Sequence, residues 1–123
     1  MTASARIAGE DSEKALRIVD DAIAVAIARN ENRWILALSH HAAVISSFLE
    51  RPDLVRRYYQ QSLDFNPENS RALRGLAREA REAGEVEKAK EYAARSYRAL
   101  MNGDDFLKEI QLETLLAEWP ELK

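Results

Sequence analysis

The chain is predicted to be all-α, an antiparallel stack of helix hairpins with about six helices, and three observations carry that prediction. First, residues 36–69 and 70–103 overlay without a gap: Ala42-Ala43 falls on Leu76-Ala77, Val55 on Ala89, Tyr58 on Tyr92, Ser62 on Ser96 and Leu63 on Tyr97. A fixed spacing of 34 residues, with each window reading as two helices, is the signature of a helical repeat array. Second, apolar residues recur at helical intervals and no segment shows the period-two alternation of a strand. Third, nearly all of the four glycines and three prolines fall between helices, and the short connections they mark force successive helices to run antiparallel. A closed bundle of four to six helices would share the second and third features. The register between the two windows favours the stack.

The first helix is expected to start at Asp11 or Ser12, whose side-chain oxygens can cap it, and to run to about Arg29. Its apolar stripe is wide: Ala15, Ile18, Val19, Ala22, Ile23, Ala26 and Ile27. Asn30 and Asn32 mark a turn, after which a second helix from about Arg33 to Leu49 carries Leu38, Ala42, Ile45 and Leu49 at core spacing. Pro52 suits the first turn of a third helix, where its missing N–H is harmless, and that helix is expected to reach Phe65. Asn66-Pro67-Glu68-Asn69 is a turn signal. Asn69 or Ser70 caps the fourth helix, and Gly84 ends it as a left-handed C-terminal residue. A fifth helix follows from Glu85 to about Leu100. After Asn102-Gly103-Asp104, a sixth starts at Asp104 or Asp105 and reaches about Glu118, before Pro120.

Composition narrows the function classes. The 123 residues amount to 14.0 kDa, 46% hydrophobic and 32% charged, which fits a soluble globular protein of one domain. A formal net charge of -3 gives no general pull toward nucleic acid or an anionic membrane. There is no cysteine, hence no disulfide framework, thiolate zinc site or cysteine nucleophile, and a reducing interior is permitted. The longest apolar stretch, residues 22–28, is too short to span a bilayer, and nothing resembles a cleaved signal. The chain is therefore read as cytoplasmic.

Leu73, Leu76-Ala77, Ala80, Gly84, Val86, Ala89, Tyr92-Ala93 and Ser96 together resemble a tetratricopeptide repeat. The preceding window shares the pattern through Ala42-Ala43, Ser46, Val55, Tyr58-Tyr59, Ser62-Leu63, Phe65 and Pro67. Each residue type serves the packing in its own way. Small Ala43 and Ala77 let paired helices approach, Ala89 and Ser96 are their small partners, Gly84 permits a tight turn, and Pro67 separates repeats. There are departures too. Ser39 and Leu73 replace the motif's leading aromatic, Glu50 stands where glycine is usual, and Met101 where proline is. The resemblance implies a right-handed α-solenoid in a single domain over 1–123. It divides into a partial repeat over 9–35, repeats over 36–69 and 70–103, and a capping helix over 104–123. The first helix resembles only the second half of a repeat, so that either Met1 to Ala8 supply a ragged first half or the module is incomplete there.

The resemblance also implies a concave groove lined by the first helix of each pair, the second and fourth helices here. The positions that match are Ala37, His40, Val44 and Ser47 on one, and Arg71, Arg74, Arg78 and Arg81 on the other. The arginines are spaced three, four and three apart, which puts all four on one helix face. Read blandly, this is a solvated face paired with Glu79, Glu82 and Glu85. Read functionally, it is an anion-binding groove, because the guanidinium fork pairs bidentately with carboxylate or phosphate. Family members that grip a C-terminal carboxylate use lysine and asparagine where His40 and Val44 stand, so that mode is disfavoured while acidic segments in general remain.

His40-His41 is the only histidine pair, and neighbours on a helix diverge by about 100 degrees, so they cannot chelate one metal; no metal or cofactor is expected. Tyr58-Tyr59 and Tyr92 fall at packing positions, and Trp34 lies near the groove entrance or over the end of the first helix. No nucleophile with a histidine base, Gly-rich phosphate loop or H-E-x-x-H occurs, so the chain is not read as an enzyme. The expected function is a protein-interaction scaffold that binds a protein or peptide segment, an acidic one if the arginines choose it. The alternative is a self-assembling module. In the sixth helix Phe106, Leu107 and Ile110 make one apolar face, and Leu112, Leu116 and Trp119 another that is a candidate homodimer face, or simply internal packing. Nucleic-acid binding is disfavoured by the acidic balance and the lack of interleaved aromatics.

Overall fold

In the computed structural model the described residues form six α-helices and a terminal 3₁₀ turn. They are α1 (Ala3–Ala28), α2 (Asn32–Phe48), α3 (Pro52–Phe65), α4 (Ser70–Glu82), α5 (Val86–Asn102), α6 (Lys108–Glu118) and η1 (Pro120–Leu122). The structure describes residues 3–103 and 108–122, with side chains from residue 9 onward. The all-α class is as the sequence predicts, and no strand occurs among the described residues. The chain divides into two compact units, Met1–Phe65 and Asn66–Lys123. The division falls close to the boundary between the two sequence windows.

In the first unit α2 packs against both α1 and α3. Its buried stripe is Ile35, Ser39, Ala42, Ala43 and Ser46, not the expected Leu38, Ala42, Ile45 and Leu49, of which only Ala42 is fully buried. Two serines can occupy the core because their hydroxyls are satisfied there: Ser46 Oγ donates to the Ala42 carbonyl at 2.7 Å, and Ser39 Oγ to Gln61 Oε1 of α3 at 3.2 Å. Helix α3 answers with Val55, Tyr58, Tyr59, Ser62 and Leu63. The Tyr58 hydroxyl donates to Asp20 Oδ1 at 2.5 Å and ties α3 to α1. Helix α1 starts earlier than Asp11, its backbone being helical from Ala3. It buries Ile23 and Ala26 but leaves Ile18 and Ile27, both expected inside, in solvent. The wide apolar stripe exceeds what one neighbouring helix can cover.

In the second unit α4 and α5 form a hairpin, and α6 packs on α5. The core is Ala77, Ala80, Ala89, Ala93, Leu100, Leu115 and Trp119, with Tyr92, Tyr97, Leu112 and Leu122 against it. Small residues line the hairpin, so the two backbones approach, and the large side chains come from the later part of α5, from α6 and from the residues after it: Leu100, Leu115 and Trp119. Of the two expected caps of α4, Asn69 is the one used, its side chain accepting the Ala72 N–H at 3.1 Å. Ser96 Oγ of α5 donates to the Ser70 carbonyl at 2.9 Å, and Ser70 Oγ donates to Gln111 Oε1 at 3.1 Å. These two bonds link the start of α4 to α5 and α6. The expected start of the sixth helix at Asp104 or Asp105, and its Phe106 and Leu107, lie outside the described residues.

Three of the interhelix turns are built alike. Residues Asn30, Glu50 and Gly84 have positive φ, 54°, 56° and 79°. Each donates its N–H back to the helix it ends, to Ile27, Ser47 and Arg81, while the next residue reaches Ala26, Ser46 and Ala80. This paired pattern satisfies carbonyls that the helix end leaves without partners. Gly84 takes the conformation without strain; Glu50 takes it despite its Cβ.

Candidate functional site

Helix α4 carries the arginine row. Leu73, Leu76, Ala77 and Ala80 are buried, which fixes the rotation of the helix and turns Arg71, Arg74, Arg78 and Arg81 to the opposite side. Arg71 and Arg74 are half-buried, whereas Arg78 and Arg81 are exposed. The C-terminal pair meets the end of α6. Arg78 Nη2 lies 2.8 Å from Glu118 Oε1 in an ion pair. Arg81 Nη1 donates to the Glu118 carbonyl at 3.1 Å, and its guanidinium carbon stands 4.5 Å from the centroid of the Trp119 ring. A cation at a helix C-terminus and over an indole face is favourable on both counts.

Glu118 is an answer to the like-charge row that the expected set of Glu79, Glu82 and Glu85 did not contain. Of that set, Glu85 lies 3.8 Å from Lys88. The carboxylate that reaches Arg78 comes from forty residues away in sequence, so no local spacing reveals it. Helix α4 thus divides into two halves. Arg78 and Arg81 fasten α6. Arg71 and Arg74 lie about 10 Å nearer the helix start.

The other expected groove residues sit on α2. Ala37 and His40 are half-buried, and Val44 and Ser47 are exposed. His40 stacks at a tilt on Tyr59 of α3, the ring centroids 6.1 Å apart. Beside them the solvent side of α2 carries two large residues: Trp34 is 58% exposed, and Phe48, which was not among the expected groove residues, 78%. Their signal was available in the sequence as apolar intervals of three and four on the face opposite Ile35 and Ala42.

The candidate dimer face on the sixth helix is mostly internal. Trp119 is buried in its own unit's core and Leu112 packs against that core, which leaves Leu116 half-buried; Ile110, expected on the other apolar face, is exposed. The terminal 3₁₀ turn holds Trp119 there, Leu122 N–H donating to its carbonyl. Among the described residues no three His, Asp or Glu side chains gather as metal ligands, and no helix is long and apolar enough to cross a membrane. No family model matches the chain, and a search of curated proteins returns no match.

Proposed function

We propose that the chain is a protein-interaction module of the tetratricopeptide-repeat kind, without catalytic activity, which captures an acidic segment of a partner protein through the arginines of α4. The repeat part of this reading is supported by burial that recurs at one spacing. Ser39 and Leu73, Ala42 and Leu76, Ala43 and Ala77, Ser46 and Ala80, Val55 and Ala89, Tyr59 and Ala93, and Ser62 and Ser96 are buried in both members of every pair. The left-handed turns at Glu50 and Gly84 follow the same spacing.

The observation that carries the binding part is the row itself. Four guanidinium groups on one side of a thirteen-residue helix repel one another, and an anion laid along them relieves that repulsion. The C-terminal pair is engaged with Glu118 and Trp119 in fastening α6. Recognition is assigned chiefly to Arg71 and Arg74, which lie nearest the start of α4, where the positive end of the helix dipole adds to their pull on an anion. Between Asn32 and Phe48 helix α2 carries a single formal charge, Arg33, so the selection of an acidic segment belongs to α4.

The test is a panel of short peptides matched in length and apolar content and differing only in charge, titrated against the protein with fluorescence anisotropy as readout. The acidic set is expected to bind, the neutral set weakly and the basic set not at all. Equal affinity across the panel would remove the arginines from the account.

A further inference from the structure

Helix α2 turns an apolar, nearly uncharged face to solvent. Opposite its buried stripe lie Trp34, Ala37, His41, Val44 and Phe48, at intervals of three, four, three and four. Trp34, Val44 and Phe48 are 58%, 38% and 78% exposed. Between Asn32 and Phe48 the one formal charge is Arg33. The solvent face of a surface helix is ordinarily charged or polar, so a row of this kind is a surface made to be covered.

Counted outward from His41, the apolar positions of α2 also pair off, once half-buried Leu38 and Ile45 on the flank of the row are included. Seven residues to either side of His41 stand the aromatics Trp34 and Phe48, four to either side Ala37 and Ile45, and three to either side Leu38 and Val44. We propose that this face is an interface between two copies of the chain, α2 lying antiparallel to α2 of the second copy across a two-fold axis at His41. A two-fold axis there superposes each residue's position on its mirror position, so apolar meets apolar on either side of His41, which meets its own copy at the axis, and Trp34 meets Phe48 of the second copy at both ends. The intervals of three and four are those that interlock two helices along a narrow seam.

Charge selects the direction. Arg33 lies one residue outside the row at its start, and exposed Glu50 just beyond its end. Antiparallel pairing brings Arg33 of one copy toward Glu50 of the other, whereas parallel pairing sets Arg33 beside Arg33. The seam is about 21 Å long, and its four aromatic rings supply most of the area, each burying up to about 150–250 Å². One helix per copy is at the small end for a specific interface, so the dimer is weak and depends on concentration. This inference stands apart from the acidic-segment reading, which rests on α4.

Sedimentation equilibrium of the full chain alone, from low to high micromolar concentration, is the test. The mass should rise from 14.0 kDa toward twice that value. Phe48→Glu should leave a folded monomer at every concentration, its helicity checked by circular dichroism. His41→Leu, which makes the centre of the seam apolar, should tighten the dimer roughly tenfold. Arg33→Glu should weaken it, and Arg33→Glu with Glu50→Arg should restore it. A wild-type mass that stays at 14.0 kDa throughout, or a dimer indifferent to both Phe48→Glu and His41→Leu, would overturn the proposal.

Discussion

Glu50 and Gly84 stand 34 residues apart in the chain and share one backbone geometry, each ending a helix with a left-handed φ, 56° and 79°. The hydrogen bonds match as well: Glu50 N–H to Ser47 and Arg51 N–H to Ser46 in one turn, Gly84 N–H to Arg81 and Glu85 N–H to Ala80 in the other. A glutamate at such a position carries strain of roughly 1 kcal/mol that glycine does not.

Two substitutions should therefore move stability in opposite directions. Glu50→Gly is expected to stabilise by up to about 1 kcal/mol, and Gly84→Ala to destabilise by about 1–2 kcal/mol. A Cβ at Gly84 would meet nothing within 4 Å, so the cost there is purely conformational. Urea denaturation followed by circular dichroism reads both. Equal stability of the three proteins would contradict the turn geometry.

Close approach of α4 and α5 depends on alanines. Ala77 is 0% exposed and belongs to the core with Ala89 and Ala93. Ala77→Leu should overpack the hairpin and cost about 1–3 kcal/mol. A melting temperature equal to the wild type's would show that the site has room that the buried alanines deny it.

At the end of α6, packing and charge should separate by size. Trp119→Ala removes a core aromatic and is expected to cost about 3–5 kcal/mol. Arg78→Ala breaks an ion pair that is partly open to water, 45% and 22% exposed on its two sides, and should cost well under about 1 kcal/mol. Denaturant midpoints for the two variants give the comparison, and a larger loss for Arg78→Ala would reverse the account of what holds α6.

The Tyr58 hydroxyl predicts an alkaline effect. Burial, then the hydrogen bond from Tyr58 to the Asp20 carboxylate and the charge of that carboxylate, push its pKa up from 10.0 to about 12. The folded state holds this proton more tightly than the unfolded chain does. Its contribution is complete below pH 10 and is lost as pH rises from there through about 12. Stability against pH, measured for wild type and Tyr58→Phe, should show a steeper alkaline decline in the wild type; parallel curves would contradict the linkage.

Much of the backbone plan was legible because punctuation residues act locally. Pro52 at the first position of α3, Asn69 as the cap of α4 and Gly84 at its end each do what a few neighbouring residues dictate. The inward face of α2 was not legible to apolar periodicity, because Ser39 and Ser46 count as polar until a partner for each hydroxyl is known. The start of α1 was missed because Asp11 and Ser12 can cap a helix and are here inside one. For the candidate site, the spacing of Arg71, Arg74, Arg78 and Arg81 put them on one face of α4, but Glu118 and Trp119 approach Arg78 and Arg81 only through tertiary structure.

The central claim, that α4 arginines read an anionic segment, is tested most directly by the affinity of an acidic peptide for wild type and for the Arg71→Glu, Arg74→Glu double variant at low and high salt. Both changes avoid the Arg78 and Arg81 tether, so α6 should stay in place. A charge-assisted hydrogen bond to the peptide is worth about 1.5–3 kcal/mol, so a double variant deprived of two should bind at least two orders of magnitude more weakly. Wild-type affinity should also fall as salt rises, since partly exposed charges are screened within about 10 Å at 0.1 M. An affinity unchanged by both the double substitution and added salt would contradict the claim.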